Sequence, residues 1–274
     1  MKTKTVLHLL PLIAAFTFVL SGSLSAAALT PLDTWSFTYS NGTQLNNALS
    51  DTGKSLGSSS TIASVESNQL KFFSDVDGTP PETASTFRTL NYSPVFSSGL
   101  LALSWDYTSA SFTNTAGVSG TANVGFGFRK TSATSGDVGL RLRFDGSNLL
   151  LQFQDSVFPN WSSLLTISGN QLSQNLSVRL EANLDNAGNA GSFQAFYKLG
   201  SAPEVTALST GSLPAGFAVE ALRTAQQTTN GGTNWRAGDT VFVDNLVVSI
   251  PEPTTFLLLG AGVGMFVLFR RRRH

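Results

Sequence analysis

Residues 138–156 read VGLRLRFDGSNLLLQFQDS. Leu140, Leu142 and Phe144 alternate with Arg141 and Arg143. That period of two places the apolar side chains on one face of a strand and the arginines on the other. Asp145-Gly146-Ser147-Asn148 then supplies four turn-forming residues in a row. Leu149, Leu151 and Phe153 resume the alternation, against Leu150, Gln152 and Gln154. The stretch therefore predicts an antiparallel hairpin with one apolar and one largely polar face.

The same grammar recurs outward from this hairpin. Residues 69–73, 100–107 and 122–129 are short strand-like runs, the last alternating with glycine. Val178, Leu180, Ala182 and Leu184 alternate with Arg179, Glu181 and Asn183, a turn occupies 185–191, and a return strand covers 192–199. Residues 240–250, TVFVDNLVVSI, are apolar on both faces apart from Asp244 and Asn245, which predicts a central strand covered on both sides. No amphipathic helix, internal repeat or Pro-rich linker interrupts residues 29–250. Many antiparallel strands joined by loops predict one all-β domain, an antiparallel jelly-roll β-sandwich.

Composition narrows the chemistry. Only 12% of the 274 residues are charged, about half the globular average of ~25%. The chain has no cysteine, which excludes disulfides, thiol catalysis and Cys-ligated metal. Residues 29–250 carry eleven basic and sixteen acidic side chains, a balance of minus five with no footprint for nucleic acid. They contain no histidine, because His8 and His274 both lie outside them. A Ser-His-Asp triad, a His-ligated zinc and a histidine general base are therefore excluded from this region.

The two ends read as addresses. Lys2 and Lys4 precede an apolar run over residues 6–20, and Ser21-Gly22-Ser23 and Ala26-Ala27-Ala28 follow. This is the pattern of a secretory signal helix over residues 1–28, delivered to the Sec translocon and cut by signal peptidase after Ala28, with Ala26 and Ala27 as alternative sites. At the other end, Pro251-Glu252-Pro253 leads into an uncharged apolar run over residues 256–269, then Arg270, Arg271, Arg272 and Arg273. A helix over those fourteen residues is about 21 Å long, against a hydrocarbon core of ~30 Å. Thr254, Thr255 and the snorkelling arginine stems extend its reach, giving a transmembrane helix over 254–269. Basic flanks stay cytoplasmic, so the domain between the ends is translocated, with an inner-membrane-anchored intermediate facing the periplasm. Gly260 and Gly264 match the small-xxx-small spacing of packed membrane helices.

The order Pro251-Glu252-Pro253, apolar helix, arginine cluster resembles the PEP-CTERM sorting signal. The resemblance covers residues 251–274 and implies recognition by exosortase, which processes such tails in Gram-negative bacteria that make extracellular polysaccharide. It implies a final location at the cell surface or outside the cell. The two prolines make physical sense there, since they hold Glu252 in extended, non-helical backbone outside the membrane. The intervening domain resembles, more loosely, the concanavalin A-like and laminin-G-like jelly rolls, whose last strand reads like VDNLVV at 243–248.

Within the domain, candidate sites are few. Asp75 and Asp77, with Gly78 and Glu82 close by, have the acid spacing of a calcium loop, and Asp244 is a further candidate ligand for a structural calcium; Asp185, Asn186 and Asn189 form a similar group. Ordinary turns use the same residues. Glu181 and Asp185 are the nearest approach to a glycosidase acid pair, but Asp185 opens a turn. Trp161 and Trp235 sit in polar segments where an indole could stack on a sugar ring or anchor a loop, whereas Trp35 and Trp105 sit in strand-like runs and are expected in the core. Arg141, Arg143, Gln152, Gln154, Arg179 and Glu181 make polar strand faces, expected to be solvated unless they form a ligand surface. The leading expectation is a non-enzymatic exported surface or matrix protein. The alternatives are a carbohydrate-binding module for exopolysaccharide and an unusual glycoside hydrolase, with no cofactor beyond the candidate calcium.

Overall fold

Alternating burial defines the strands of the computed structural model, which describes residues 29–44, 46–56, 63–73, 86–113, 122–130, 137–154, 161–184, 190–228, 235 and 238–251. Thr30–Ile250 form one unit. The larger sheet runs in the order β13 (Val205–Ala215), β12 (Ala190–Leu199), β11 (Leu176–Leu184), β5 (Gly99–Ser111), β15 (Thr240–Pro251), β3 (Gln69–Phe73) and β2 (Ala63–Glu66). β1 (Leu29–Trp35) adds to β15, and β10 (Gln171–Leu172) adds to β5. The second sheet has six strands, β4 (Thr86–Phe96), β14 (Val219–Thr228), β6 (Ala122–Arg129), β7 (Asp137–Phe144), β8 (Asn148–Gln154) and β9 (Trp161–Ser168). The architecture is an all-β jelly-roll sandwich, and no helix occurs among the described residues.

One apolar layer fills the space between the sheets. β11 shows the pattern cleanly: Leu176, Val178, Leu180, Ala182 and Leu184 are buried and the residues between them are not. Its partner β5 contributes Leu101, Leu103, Trp105 and Tyr107. Val124, Phe126 and Phe128 of β6 and Leu140, Leu142 and Phe144 of β7 face them from the other sheet. Aromatic pairs bridge the layer: Trp105 meets Phe126 at 5.1 Å, Phe72 meets Phe126 at 6.1 Å, and Phe153 meets Phe193 at 4.6 Å. Each such pair adds about 0.5–1.5 kcal/mol beyond its buried area. Trp35 and Trp105 are core residues, as their strand context predicts.

The β7–β8 hairpin forms in the expected register, with Leu140 opposite Phe153 and Leu142 opposite Leu151. Asp145 Oδ1 accepts from the backbone N–H groups of Ser147 and Asn148 at 2.9 and 2.8 Å, and Gly146 takes the positive φ of 97° that this turn needs. β15 departs from expectation. It is central, between β5 and β3, but Phe242, Asp244 and Val247 on its outer side are half-buried rather than covered. The reason is a bulge between Asp244 and Val247, where Asn245 adopts a φ of 51°. The extra residue turns Leu246 and Val248 inward with Val241 and Val243, so a run that looks apolar on both faces serves one core. At the start of the domain, the buried Asp33 carboxylate accepts from Ser50, Thr52 and, at 2.7 Å, the Lys54 ammonium, and Trp35 Nε1 donates to the Lys54 carbonyl at 3.0 Å.

Residues 1–28 and 252–274 lie outside the described residues, and with them the signal helix, its cleavage positions Ala26 and Ala28, Glu252, Pro253, the apolar segment and Arg270, Arg271, Arg272 and Arg273. No helix of the described residues is long and apolar enough to cross a membrane.

Candidate functional site

The polar face of the six-stranded sheet is built by cross-strand register. Residues directly opposite each other on neighbouring strands share a face. One row runs Arg223, Gly127, Gly139, Gln154, Trp161 across β14, β6, β7, β8 and β9. The next row contains Gly125, Arg141, Gln152 and Ser163. A third contains Asn123, Arg143, Leu150 and Thr166, and Arg129 stands beside the first row on β6. Four of the eleven basic residues between positions 29 and 250 are thus gathered on one sheet face.

This face has a glycine floor. A Cβ on Gly125 would meet Arg141 Cβ at 2.7 Å, and one on Gly127 would meet Gly139 Cα at 2.8 Å. β6 and β7 approach this closely because three facing positions carry no side chain. Arg223 on β14 and Gln154 on β8 stand three strand spacings apart, about 14 Å, with only Gly127 and Gly139 between them. The first row therefore has two glycines between polar side chains, and Gly125, Gly127 and Gly139 are themselves buried.

The expectation of a solvated polar face needs correction. Arg141 is 5% exposed, and Gln152 and Gln154 are each 4% exposed. Arg141 donates through Nε and an Nη to Gln152 Oε1 at 2.9 and 2.8 Å, and its guanidinium lies 3.6 Å from the centre of the Trp161 ring. Gln152 passes the chain on by donating to Ser163 Oγ at 3.2 Å. Burial, and secondarily the neighbouring Arg143, lowers the Arg141 pKa to about 9. Burial and then Arg129 lower that of Arg223 to about 10. Arg179 and Glu181 do not join this face. They pair with each other on the larger sheet, where Arg179 also bonds Glu204 at 2.6 Å and covers Phe196 at 4.0 Å.

The two candidate sugar-stacking tryptophans separate. Trp161 opens strand β9 rather than occupying a loop, and it is half-buried on the site face beside Gln154. Trp235 is 4% exposed, its ring 5.6 Å from that of Phe112, which itself stacks on Phe144 at 5.2 Å. Its indole is spent on closing the core, so it is corrected from a candidate stacking platform to an anchor. Arg129, Arg223 and Asn123 were missed in the sequence. Their signal was present, because Asn123, Gly125, Gly127 and Arg129 share the alternation that singles out Arg141 and Arg143.

Of the calcium candidates, Asp75, Asp77 and Asp185 lie outside the described residues. Asp244 stands opposite Asp106 on the larger sheet, and Asn245 donates its side-chain amide to Asp106 at 2.7 Å and its backbone N–H to Asp244 at 2.8 Å. No group of three or more acidic, histidine or cysteine side chains able to hold a metal occurs among the described residues. Burial first, and the facing Asp106 as well, hold the Asp244 carboxyl above its usual 3.8. A carboxyl raised in the folded state favours folding when protonated, and that contribution fades as pH rises from 3.8 through the raised value. Asp244→Asn should therefore raise the melting temperature at pH 7 and leave it unchanged well below pH ~3. Equal shifts at both pH values would contradict the repulsion.

Residues 249–273 match the model of the PEP-CTERM protein-sorting motif. The chain thus carries an exosortase-type sorting tail and is an exported protein. No curated protein matches it in sequence. Among solved structures, it is similar to the alginate lyase Aly36B in complex with alginate trisaccharide, at 12% identity and a TM-score of 0.47, covering 84% of this chain and 100% of that one. It is also similar to the botulinum neurotoxin serotype D binding domain, at 10% identity and a TM-score of 0.45, covering 81% of this chain and 48% of that one. A third likeness is to the β-glucanase of Bacillus licheniformis, at 7% identity and a TM-score of 0.40, covering 84% and 100%.

Proposed function

We propose that this exported chain is a non-catalytic surface or matrix protein whose jelly roll holds a polysaccharide on the outer face of its six-stranded sheet. The observation that carries the reading is the row Arg223, Gly127, Gly139, Gln154, Trp161, in which two glycines separate polar side chains about 14 Å apart. Sugar rings offer flat apolar faces and many hydroxyls, and a row with an indole at one end and hydrogen-bonding groups along it suits both. The absence of histidine from residues 29–250 supports binding without turnover. Hydrolysis by paired acids needs two carboxylates across the cleft, and the three rows set out above hold no acid position. The sorting tail supports a final place at the cell surface or in the surrounding matrix, where the cell's own exopolysaccharide is the available partner.

The test uses the full chain in mild detergent on immobilised polysaccharides, with product analysis on the same samples. The expected result is retention on at least one polysaccharide without chain cleavage, with affinity reduced about tenfold or more in Trp161→Ala. Shortened products would overturn the non-catalytic reading. Retention indifferent to Trp161→Ala would remove the site from this face.

A further inference from the structure

Resting on that reading, we infer that the polysaccharide held on this face is a polyuronate, a chain of sugars bearing repeated carboxylates.

The first observation is the inventory of unmet hydrogen bonds. Gln154 is 4% exposed and its Nε2 has no hydrogen-bond partner, and the Nε of Arg143 is buried in the same condition. Both are donors. The acceptor next to them, Gln152 Oε1, is already taken twice by Arg141. The face therefore presents donors whose acceptors are missing, and leaving a buried donor unmet costs about 1–3 kcal/mol. A neutral sugar hydroxyl brings a donor of its own with every acceptor. A carboxylate brings acceptors only, and it is the partner that the unmet Gln154 and Arg143 donors select.

The second observation is charge. Arg129, Arg141, Arg143 and Arg223 share this face although the domain carries a net negative balance. Arg141 is held by neutral groups, the Gln152 amide and the Trp161 ring, and is flanked by another arginine two residues along the strand. Arg141 and Arg143, in successive outward positions of one strand, repel each other, and a bound anion would relieve that repulsion. Arg141 and Arg143 recur about 7 Å apart along β7, and Arg143 and Arg223 lie on opposite sides of the glycine floor. Charges distributed in this way meet an anion that repeats along a chain better than a single compact one. The planar guanidinium fork matches a carboxylate in two parallel hydrogen bonds.

The test measures binding of the full chain in detergent to polygalacturonate, to a neutral glucan of the same length and to dextran sulfate, each at low and moderate salt. Polygalacturonate should bind at least about tenfold more tightly than the glucan, and Arg143→Gln should weaken it by about tenfold. Added salt should weaken it further. Lys198→Gln, which removes one exposed charge on the other sheet, should have no effect. If Arg143→Gln does not fold, Arg223→Gln takes its place with the same expectation. Equal affinity for the neutral glucan, or equal losses in Arg143→Gln and Lys198→Gln, would overturn the inference and leave the glycan-binding reading standing. Binding to dextran sulfate alone would overturn the carboxylate assignment. Binding to none of the three, with the melting transition intact, would overturn both.

Discussion

Tyr107→Phe should lower the melting temperature of the jelly roll by about 5–10 °C, equivalent to about 2–3 kcal/mol. The substitution removes one oxygen from a fully buried ring. That oxygen does two things at once. It donates to the Val124 carbonyl of β6 at 2.8 Å and accepts from the Leu142 N–H of β7 at 3.1 Å. Tyr107 belongs to β5, so the hydroxyl ties the larger sheet to two strands of the smaller one. Burial pushes the phenol above its usual range, which keeps the donor proton in place. Phenylalanine would leave a carbonyl and an N–H facing each other's vacated partner in a dry core, each at the cost of an unmet buried group. Tyr39→Phe is the informative control. Tyr39 has the same bonding pattern, donating to the Leu49 carbonyl at 3.0 Å and accepting from the Leu49 N–H at 3.2 Å, but in an exposed setting where water replaces the hydroxyl. Its loss should shift the melt by no more than about 2 °C. Similar shifts for the two variants, measured by circular dichroism, would mean that burial does not set the cost.

The contrast between these tyrosines also marks what sequence could and could not say. Alternation is local, so the β7–β8 hairpin, β11 and the glycine-spaced β6 were legible in single stretches of chain. Which strands become neighbours is not local. Arg141 and Arg143 were visible as the polar side of a hairpin, yet the sequence placed them alongside Arg179 and Glu181, which the topology assigns to the other sheet. Only the β14–β6–β7 register brings Arg223 and Arg129 to the same face. Burial of Arg141 was illegible for the same reason, because the indole that covers it comes from Trp161, twenty positions along the chain. β15 failed differently. Its composition does not reveal the bulge at Asn245, and without the bulge its apolar residues read as two faces. Trp235 resembled a loop indole by its polar neighbours, while its contact with Phe112 decides its role.

Gly127→Ala should destabilise the domain by about 2–3 kcal/mol, although the substitution is ordinarily mild or favourable in a strand. Alanine normally gains about 0.5–1 kcal/mol over glycine in a strand interior, because the unfolded chain has less freedom to lose. At this position the added methyl meets the Val138 carbonyl oxygen at 2.5 Å and Gly139 Cα at 2.8 Å. Both are backbone, so neither can rotate away. β6 and β7 must part, and the separation disturbs the ladder that holds Arg141 opposite Gly125 and Gln152. Gly139 provides a graded comparison on the facing strand. A methyl there comes no nearer than 3.0 Å to the Phe126 carbonyl oxygen and 3.3 Å to Gly127 Cα, contacts that a few tenths of an ångström relieve. The expected order of destabilisation is therefore Gly127→Ala and Gly125→Ala well ahead of Gly139→Ala. Polysaccharide affinity should fall in the same order, since the strain displaces the rows that hold Arg141, Gln152 and Gln154. If all three variants melt like the parent chain but lose binding, the glycines serve the ligand alone. If the melting order is reversed, the close approach of β6 and β7 is not what these glycines allow.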